Sequence, residues 1–475
     1  MTNSFRLNLL AVAIGSLLLT GCGDSDTELV EKDPIVADED NHSDGDDHDH
    51  GGDDHDDDSF TIKTKGRLAV LSAESAEAAL VDLDDNSLLE TFTLTHDSST
   101  LAASAGYRYA VINNRTESHI GFIDGGLWRE DHGDHPHDYK QAPAMSDYEL
   151  TSGSRPTHIV NHEGKMAVFY DGDADAGTNA SVQVLSDTDI SGKTAELSGI
   201  QYSVNMHGVA EPRGEHLLST LRRDDAESTS NAKILPDQVG VYHFHDGEYE
   251  LEQTLEVTCP DLHGAAQNHE FVLFGCSDGV LAAHQHDDEY EAVKIANIDA
   301  VGDLRIGRIY GHEAVESFIG VASAHGGGQS VLVAINPEES EMEAIDWQPM
   351  EGAAATSYAF AYEGEHFLIL DNLGYLTILH QHEHDGHKEW EFAGRVDISE
   401  EDVSTMPEGM SFSMTVTQND HFAYVADPIA KHVVQVHLED MEIEGDIELT
   451  FAPANITWLG IAKESDSESD HDHDH

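Results

Sequence analysis

The sequence predicts an all-β fold, and within that class a β-propeller of eight blades closed by its C-terminal strand. Polar and apolar residues alternate over most of the chain, and Gly, Asp and Asn turns interrupt the runs, which is typical of strands. A single plan of short strands also repeats with a period of about 40 to 60 residues. No segment has a convincing amphipathic helical pattern.

The repeats are visible in both the inner and the outer strands of each unit. Residues 206–218 and 357–368 each have a short strand, then Gly-Glu-His, then an apolar strand. Residues 240–250 and 279–291 each have Gly-Val, a His-x-His pair and then Glu-Tyr-Glu, and residues 374–390 give a third version. Repeats of this kind predict the blades of a propeller.

Eight such units can be counted along the chain. They start near residues 66, 100, 156, 205, 261, 305, 355 and 411. One strand, residues 455–462, is then left over, and we expect it to complete the first blade and close the ring. Seven blades result if the irregular unit near residues 302–346 merges with a neighbour. A β-sandwich pair and a solenoid are the alternative architectures.

Residues 1–22 have the pattern of a bacterial export signal. Arg6 supplies a positive charge, and an apolar stretch too short to span a membrane follows at residues 9–19. The sequence Leu-Thr-Gly-Cys22 resembles a lipobox, which implies a mature chain that begins at a lipidated Cys22. Because Gly23 follows, enteric sorting rules favour the outer membrane over the inner one. We therefore expect a lipid-anchored protein of the periplasm.

Acidic, histidine-containing segments flank the predicted propeller, which covers residues 60–462. Residues 23–59 and 463–475 are poor in apolar residues and are expected to be disordered. The chain has 23 Lys and Arg against 93 Asp and Glu, a formal charge of −70, which excludes nucleic acid as a partner. An anionic membrane surface is equally disfavoured, apart from contact through a lipid anchor. Acidic surfaces also occur in proteins from saline habitats, so part of this charge has a simple solvation role.

Two of the three cysteines remain after Cys22, and neither is part of a CxxC motif. Exported proteins fold in an oxidising compartment. We therefore predict a disulfide between Cys259 and Cys276.

Three histidines occupy equivalent positions in consecutive repeats. When the repeats are aligned, His158, His207 and His263 each stand at a similar distance before the second strand of their unit. The first strand of each blade lines the central channel, so the three imidazoles are expected to converge there in a site of the kind zinc prefers. Asp97 is the predicted fourth ligand, in preference to His96. The alternative is a set of channel histidines that bind only water.

Other histidine clusters predict further metal binding. The segment 131–138 can wrap one divalent ion through His132, His135 and His137. The N-terminal segment adds His48, His50 and His55. Predicted outer strands carry His-x-His pairs at residues 243 and 245, 284 and 286, and 380 and 382. Imidazole and carboxylate ligands favour Zn²⁺, with Ni²⁺ and Cu²⁺ as competitors.

Together these features resemble the AztD family of periplasmic zinc metallochaperones. The resemblance covers roughly residues 60–462 and depends on the export signal, the His/Asp-rich N-terminal segment, the 131–138 loop and two motifs. The motifs are Asn-Met-His207-Gly-Val and Cys259-Pro-Asp-Leu-His263-Gly.

The resemblance implies that His158, His207 and His263 hold tight zinc and that the loop holds a second ion. It also implies delivery of zinc to the solute-binding protein of a zinc ABC importer. Members of this family are expected to be soluble in the periplasm, so the lipobox is a departure that changes the route of hand-over.

Two other classes of function compete with a chaperone. A surface interaction module would use the propeller only to display loops. A metal-dependent hydrolase would use three His ligands and an open water position. The sequence contains neither GxSxG nor HExxH, and its 4 Trp are too few for a quinoprotein propeller. We therefore expect a protein that is not an enzyme.

Overall fold

The computed structural model describes most of the chain between the two acidic segments. The described residues are 62–131, 136–222, 235–286, 288–324, 330–384 and 387–463. The predicted signal with Cys22, the segment 23–59 with its histidines, His132 and His135, and residues 464–475 lie outside them.

The fold is a ring of eight four-stranded antiparallel sheets. The first blade contains β1 (Arg67–Ser72), β2 (Glu77–Asp82) and β3 (Ser87–Thr93). The second contains β4 (Thr100–Ala103), β5 (Tyr109–Asn114), β6 (His119–Asp124), an inserted hairpin of β7 (Leu127–Asp131) and β8 (Pro136–Lys140), and β9 (Ala144–Leu150). The third contains β10 (Pro156–His162), β11 (Lys165–Tyr170), β12 (Ser181–Leu185), the short helix α1 (Asp187–Gly192) and β13 (Ser198–Gln201).

The next two blades follow the same strand order. The fourth contains β14 (Ala210–Arg213), β15 (His216–Leu221), β16 (Gln238–His245) and β17 (Glu248–Thr254). The fifth contains β18 (Ala265–Gln267), β19 (Phe271–Gly275), β20 (Gly279–His286) and β21 (Glu289–Ala296).

The last three blades complete the ring. The sixth contains β22 (Arg305–His312), β23 (Val315–Ser323), β24 (Ser330–Asn336) and β25 (Glu341–Ile345). The seventh contains β26 (Ala355–Phe360), β27 (His366–Asp371), β28 (Tyr375–His384) and β29 (His387–Asp397). The eighth contains β30 (Ser413–Val416), β31 (Phe422–Asp427), β32 (His432–His437) and β33 (Glu442–Glu448). Two 3₁₀ turns, Tyr362–Gly364 and Val403–Thr405, complete the helical content of the described residues.

The C-terminal strand β34 (Pro453–Leu459) is the innermost strand of the first blade, as the sequence predicts. It pairs with β1 in an antiparallel register that places Arg67 opposite Leu459. The irregular unit near residues 302–346 forms a complete blade of its own, the sixth. The count is therefore eight.

Burial is greatest in the second strand of a blade, next to the strand that lines the channel, and it falls toward the outermost strand. In the first blade all six residues of β1 are buried, whereas β3 is mostly exposed. Neighbouring blades pack face to face, and one apolar cluster between the fourth and fifth blades includes Val209, Leu218, Phe274 and Leu281. This burial of both faces explains why the second strands of the blades are largely apolar. No helix among the described residues is long and apolar enough to cross a membrane.

The two ends of the ring carry different groups. We call the end where the innermost strands begin the upper end, and the end where they finish the lower end. The β7–β8 hairpin lies at the lower end, where Asp138 is buried and accepts a hydrogen bond of 2.6 Å from the Ile62 amide. Lys463 also lies there, because its amide donates to the Gln418 carbonyl between β30 and β31. Both ends of the described propeller chain are therefore at the lower end.

Candidate metal centre

Three imidazoles from three consecutive blades meet at the upper end of the channel. His158 lies near the start of β10, His207 just before β14 and His263 just before β18. The Nε2 atom of His207 lies 3.3 Å from that of His158 and 3.0 Å from that of His263. The structure thus brings together the three histidines that the repeat alignment singles out.

Two of the rings are oriented by acceptors on the side away from the cluster. His207 Nδ1 lies 3.1 Å from Asp171 Oδ2, and His263 Nδ1 lies 2.8 Å from the carbonyl oxygen of Gly307. Each acceptor favours the tautomer that carries its proton on Nδ1, since the ring nitrogen must donate to it. The Nε2 lone pairs then point into the cluster, as in metal sites where an outer hydrogen bond fixes each ligand.

Burial lowers the pKa of two of the three imidazoles to well below neutral pH. Burial and the neighbouring His207 and His263 lower the pKa of His158 to about 3. Burial also lowers the pKa of His263 to about 4, although its bond to Gly307 opposes this. Burial alone would raise the pKa of Asp171, but hydrogen bonds and charges from His207 and Arg115 bring it below its usual value. The site therefore combines two imidazoles that are neutral at pH 7, those of His158 and His263, with the ionised carboxylate of Asp171.

The spacing fits a tetrahedral metal ion. Zinc–nitrogen bonds of about 2.0–2.1 Å in tetrahedral geometry separate the ligand atoms by about 3.3 Å. The two Nε2 distances of 3.0 and 3.3 Å are close to that value. Lone pairs this close repel one another unless a cation or a proton lies between them. The three rings are therefore held in a geometry that a cation would stabilise.

Glycines explain how the backbone reaches this geometry. A Cβ atom on Gly208, directly after His207, would lie 2.2 Å from Thr220 Oγ1. Gly264, directly after His263, has φ +76°, and its Cβ atom would lie 2.6 Å from the Gly307 carbonyl oxygen. The His-Gly pairs in the sequence therefore reflect close approaches between backbone segments beside the site.

The predicted disulfide between Cys259 and Cys276 is present. It joins the segment before β18 to the residue after β19, with a sequence separation of 17. His263 lies inside the loop that it closes. The disulfide therefore restrains the segment that presents one of the three imidazoles.

A cavity of about 1000 Å³ opens beside the cluster at the upper end. His207 and His263 line it, so the centre can be reached by a ligand from outside. Four arginines line it as well, Arg115, Arg155, Arg222 and Arg305. Arg115 pairs with Asp171 at 2.6 Å and Arg155 with Asp173 at 3.3 Å, so two of these positive charges are neutralised within the site.

The described ligand atoms that lie within 4.8 Å of one another at this centre belong to His158, His207 and His263, and Asp97 is not among them, in contrast to the prediction. It lines a separate cavity with residues of the first and eighth blades, and its carbonyl oxygen accepts a bond of 2.6 Å from Asn114 Nδ2. The loop that carries it leads from β3 to β4. The carboxylate that contacts the cluster is Asp171, which sequence reasoning missed. Its only signal was its position directly after the apolar strand β11.

The remaining predicted ligands are placed only in part. His137 lies on β8 opposite Glu130, at the lower end of the ring. β8, which carries His137, is therefore at the opposite end from the three histidines. Because His132 and His135 lie outside the described residues, the metal site of the 131–138 loop stays a prediction.

The fold and the site together define an eight-bladed propeller with a three-histidine candidate metal centre at one end of its channel. No protein-family model matches the chain. The chain is similar to the zinc chaperone AztD of Citrobacter koseri, with 21% identity over 411 residues, which are 84% of this chain and 87% of the relative. The resemblance drawn from the sequence motifs is thereby confirmed.

Solved structures show the same fold. Apo AztD of Citrobacter koseri superimposes with a TM-score of 0.66 at 19% identity, covering 84% of this chain and 99% of that one. A second AztD structure from this organism gives 0.67 with the same identity and coverage. The dihydro-heme d1 dehydrogenase NirN gives 0.54 at 10% identity, covering 85% of this chain and 77% of that one.

Proposed function

We propose that this protein is a zinc chaperone that holds Zn²⁺ between His158, His207 and His263 and passes it to an acceptor protein. The observation that carries the proposal is the convergence of three Nε2 atoms, two of whose rings are oriented by Asp171 and Gly307. The similarity to a zinc chaperone supports the same metal and the same role. Three nitrogen ligands with an ionised carboxylate behind them suit Zn²⁺.

The number of protein ligands explains how zinc could be handed to an acceptor. Three protein ligands leave one tetrahedral position open, and an acceptor's ligand can enter there before a histidine leaves. The cavity beside His207 and His263 gives that ligand a route. The acceptor that we propose is the solute-binding protein of a zinc ABC importer, reached by a lipid-anchored donor in the periplasm. The proposed anchor is Cys22.

The test is a zinc titration of the full chain against a competing chelator. His158→Ala/His207→Ala/His263→Ala should lose one tight equivalent. A matched control that removes three outer-strand histidines, His284→Ala/His286→Ala/His437→Ala, should keep it. Equal tight binding in the triple variant and the wild type would overturn the site.

A second measurement separates a chaperone from a hydrolase. Zinc-loaded protein is mixed with a metal-free solute-binding protein, and zinc in each is measured after separation. Transfer faster than spontaneous release supports hand-over by ligand exchange. Zinc that stays in place while the protein hydrolyses ester or phosphoester substrates would favour an enzyme.

A further inference from the structure

A second group of metal ligands lies on the outer strands of the fourth blade. His243 and His245 are two residues apart on β16, so their rings point to the same side of the sheet, with centroids 4.2 Å apart. Glu252 on β17 reaches both, with Oε1 2.9 Å from His245 Nε2 and Oε2 3.6 Å from His243 Nδ1. Each residue offers a ligand atom within 4.8 Å of the other two.

His216 supports this group from the inner side. It lies on β15 directly opposite His243, and the two ring centroids are 4.7 Å apart. Its side chain is buried, and its Nε2 atom has no hydrogen-bond partner among the described residues. Glu215 adds a carboxylate 3.6 Å from His243 Nε2. The group therefore has three converging ligands with a buried imidazole and a second carboxylate beside them.

The fifth blade carries the same His-x-His pair without these additions. His284 and His286 occupy the positions of His243 and His245 on β20. Phe271 stands opposite His284, where the fourth blade has His216, and stacks on its ring at 4.3 Å. Val293 occupies the sequence position of Glu252. This blade is thus an internal control that has the histidine pair but lacks the third ligand.

The seventh blade lacks the carboxylate too. His380 lies opposite His366, as His243 lies opposite His216. The residue that corresponds to Glu252 is Ala393, and the rings of His380 and His382 are 6.2 Å apart. Of these three blades, only the fourth combines the pair, the opposing histidine and the glutamate.

A local irregularity brings Glu252 into position. On β17, Leu251 pairs with Tyr242 and Gln253 pairs with Val241, so Glu252 is an extra residue in a β-bulge. The fifth blade pairs β20 with β21 without a bulge. Bulges at this position also occur in the first, seventh and eighth blades, so the bulge itself is a feature of the fold. The placement of a glutamate at it, beside two histidines, is specific to the fourth blade among those compared above.

We propose that His243, His245 and Glu252, with His216 behind them, form a second binding site for Zn²⁺. Small side-chain rotations would bring the three ligand atoms to the separation of about 3.3 Å that tetrahedral zinc needs. The side chains of His245 and Glu252 are 45% and 46% exposed, so the ion stays in contact with water and exchanges quickly.

The position of this site in the ring fits a role in the uptake of zinc. His243 and His245 are at the lower end of the ring, because β16 ends there. The described propeller chain also begins and finishes at this end, with Ile62 bonded to Asp138 of the second blade and Lys463 to Gln418 of the eighth. The histidine-rich acidic segments therefore attach at the same end of the ring as this site, which is the end opposite the three-histidine centre.

The test is site-resolved histidine footprinting of the full chain. Metal-free protein is mixed with increasing ZnCl₂ and treated with diethylpyrocarbonate, and modification of each histidine is measured by peptide mass spectrometry. Zinc should protect His243 and His245 at a concentration at least ~10-fold lower than His284 and His286 in the same sample, since loss of even an indirect ligand contact weakens zinc sites by about that factor.

Two variants make the result specific. Glu252→Val, which copies the fifth blade, should move protection of His243 and His245 to the concentration seen for His284 and His286. Glu289→Val removes one exposed carboxylate from the fifth blade and should leave that protection unchanged. Equal protection curves for the two pairs in the wild type, or no effect of Glu252→Val, would overturn the proposal. Protection of His158, His207 and His263 is read from other peptides, so failure here leaves the test of the three-histidine centre intact.

Discussion

Replacing Asp171 by Asn tests whether the outer hydrogen bond matters for metal binding. The substitution keeps the shape of the side chain but removes its charge, which lies 3.1 Å from His207 Nδ1 and 2.6 Å from Arg115. The asparagine amide can also turn its NH₂ group toward His207, which favours the tautomer with the proton on Nε2. That proton would occupy the side of the ring where the metal binds.

The expected loss of zinc affinity can be taken from the effect of such contacts in other metal sites. Loss of an outer partner of a ligating histidine typically weakens metal binding by about 10- to 100-fold, or about 1.4–2.7 kcal/mol. Asp171 is 7% exposed, so solvent screening reduces this effect only slightly. We therefore expect the upper part of that range for Asp171→Asn.

The assay is zinc titration of the full chain against a chelator of known affinity. Asp173→Asn is the matched control, because it lines the same cavity and pairs with Arg155, at 3.3 Å, instead of with a histidine. Its affinity should stay within about twofold of the wild type, since exposed ion pairs contribute little. An unchanged affinity in Asp171→Asn, or an equal loss in the control, would refute this account of the site.

Three further predictions concern pH, the disulfide and the misplaced ligand. The folded pKa values of His158 and His263, about 3 and 4, lie below the value of about 6.5 expected in the unfolded chain. The unfolded state therefore binds more protons below pH 6.5, so metal-free protein should lose stability as pH falls from 6.5 to 4. In urea unfolding, the free energy of unfolding of His158→Asn/His263→Asn should fall less between pH 6.5 and 4 than that of the wild type. An identical dependence on pH in the two proteins would contradict the lowered pKa values of these histidines. Cys259→Ser/Cys276→Ser should lower the free energy of unfolding by about 3 kcal/mol and weaken zinc binding through His263; unchanged denaturation midpoints would argue against this role. Asp97→Ala should still bind one tight equivalent of zinc in the chelator titration. Loss of that equivalent would show that Asp97 is a ligand after all.

The repeats predict the ring and the three histidines because both depend on equivalent positions. Innermost strands occupy equivalent places around an axis, so residues in register along the sequence meet in the channel, as His158, His207 and His263 do. The prediction of Asp97 as a ligand was wrong because its repeat position was inferred from spacing alone. The loop before β4 lines a cavity with residues of the first and eighth blades.

The partners of these residues are harder to predict. Asp171 approaches His207 from the loop after β11 in the preceding blade, and nothing in the repeat pattern marks that contact. Glu252 depends on a bulge that exists only once two strands are paired. Contacts between loops and irregular strand pairings follow from the folded backbone, so a pattern of residue types does not reveal them.

The seam between β1 and β34 gives the chain an order of assembly. The ring stays open until the last strand has been made and can hydrogen-bond to the first, a contact across nearly the whole sequence that forms slowly. The candidate metal centre, with Gly307 included, belongs to residues 156–312 and has no ligand from β1 or β34. The candidate metal centre is therefore formed by consecutive blades, whereas closure of the ring requires a contact between the first and last strands of the propeller.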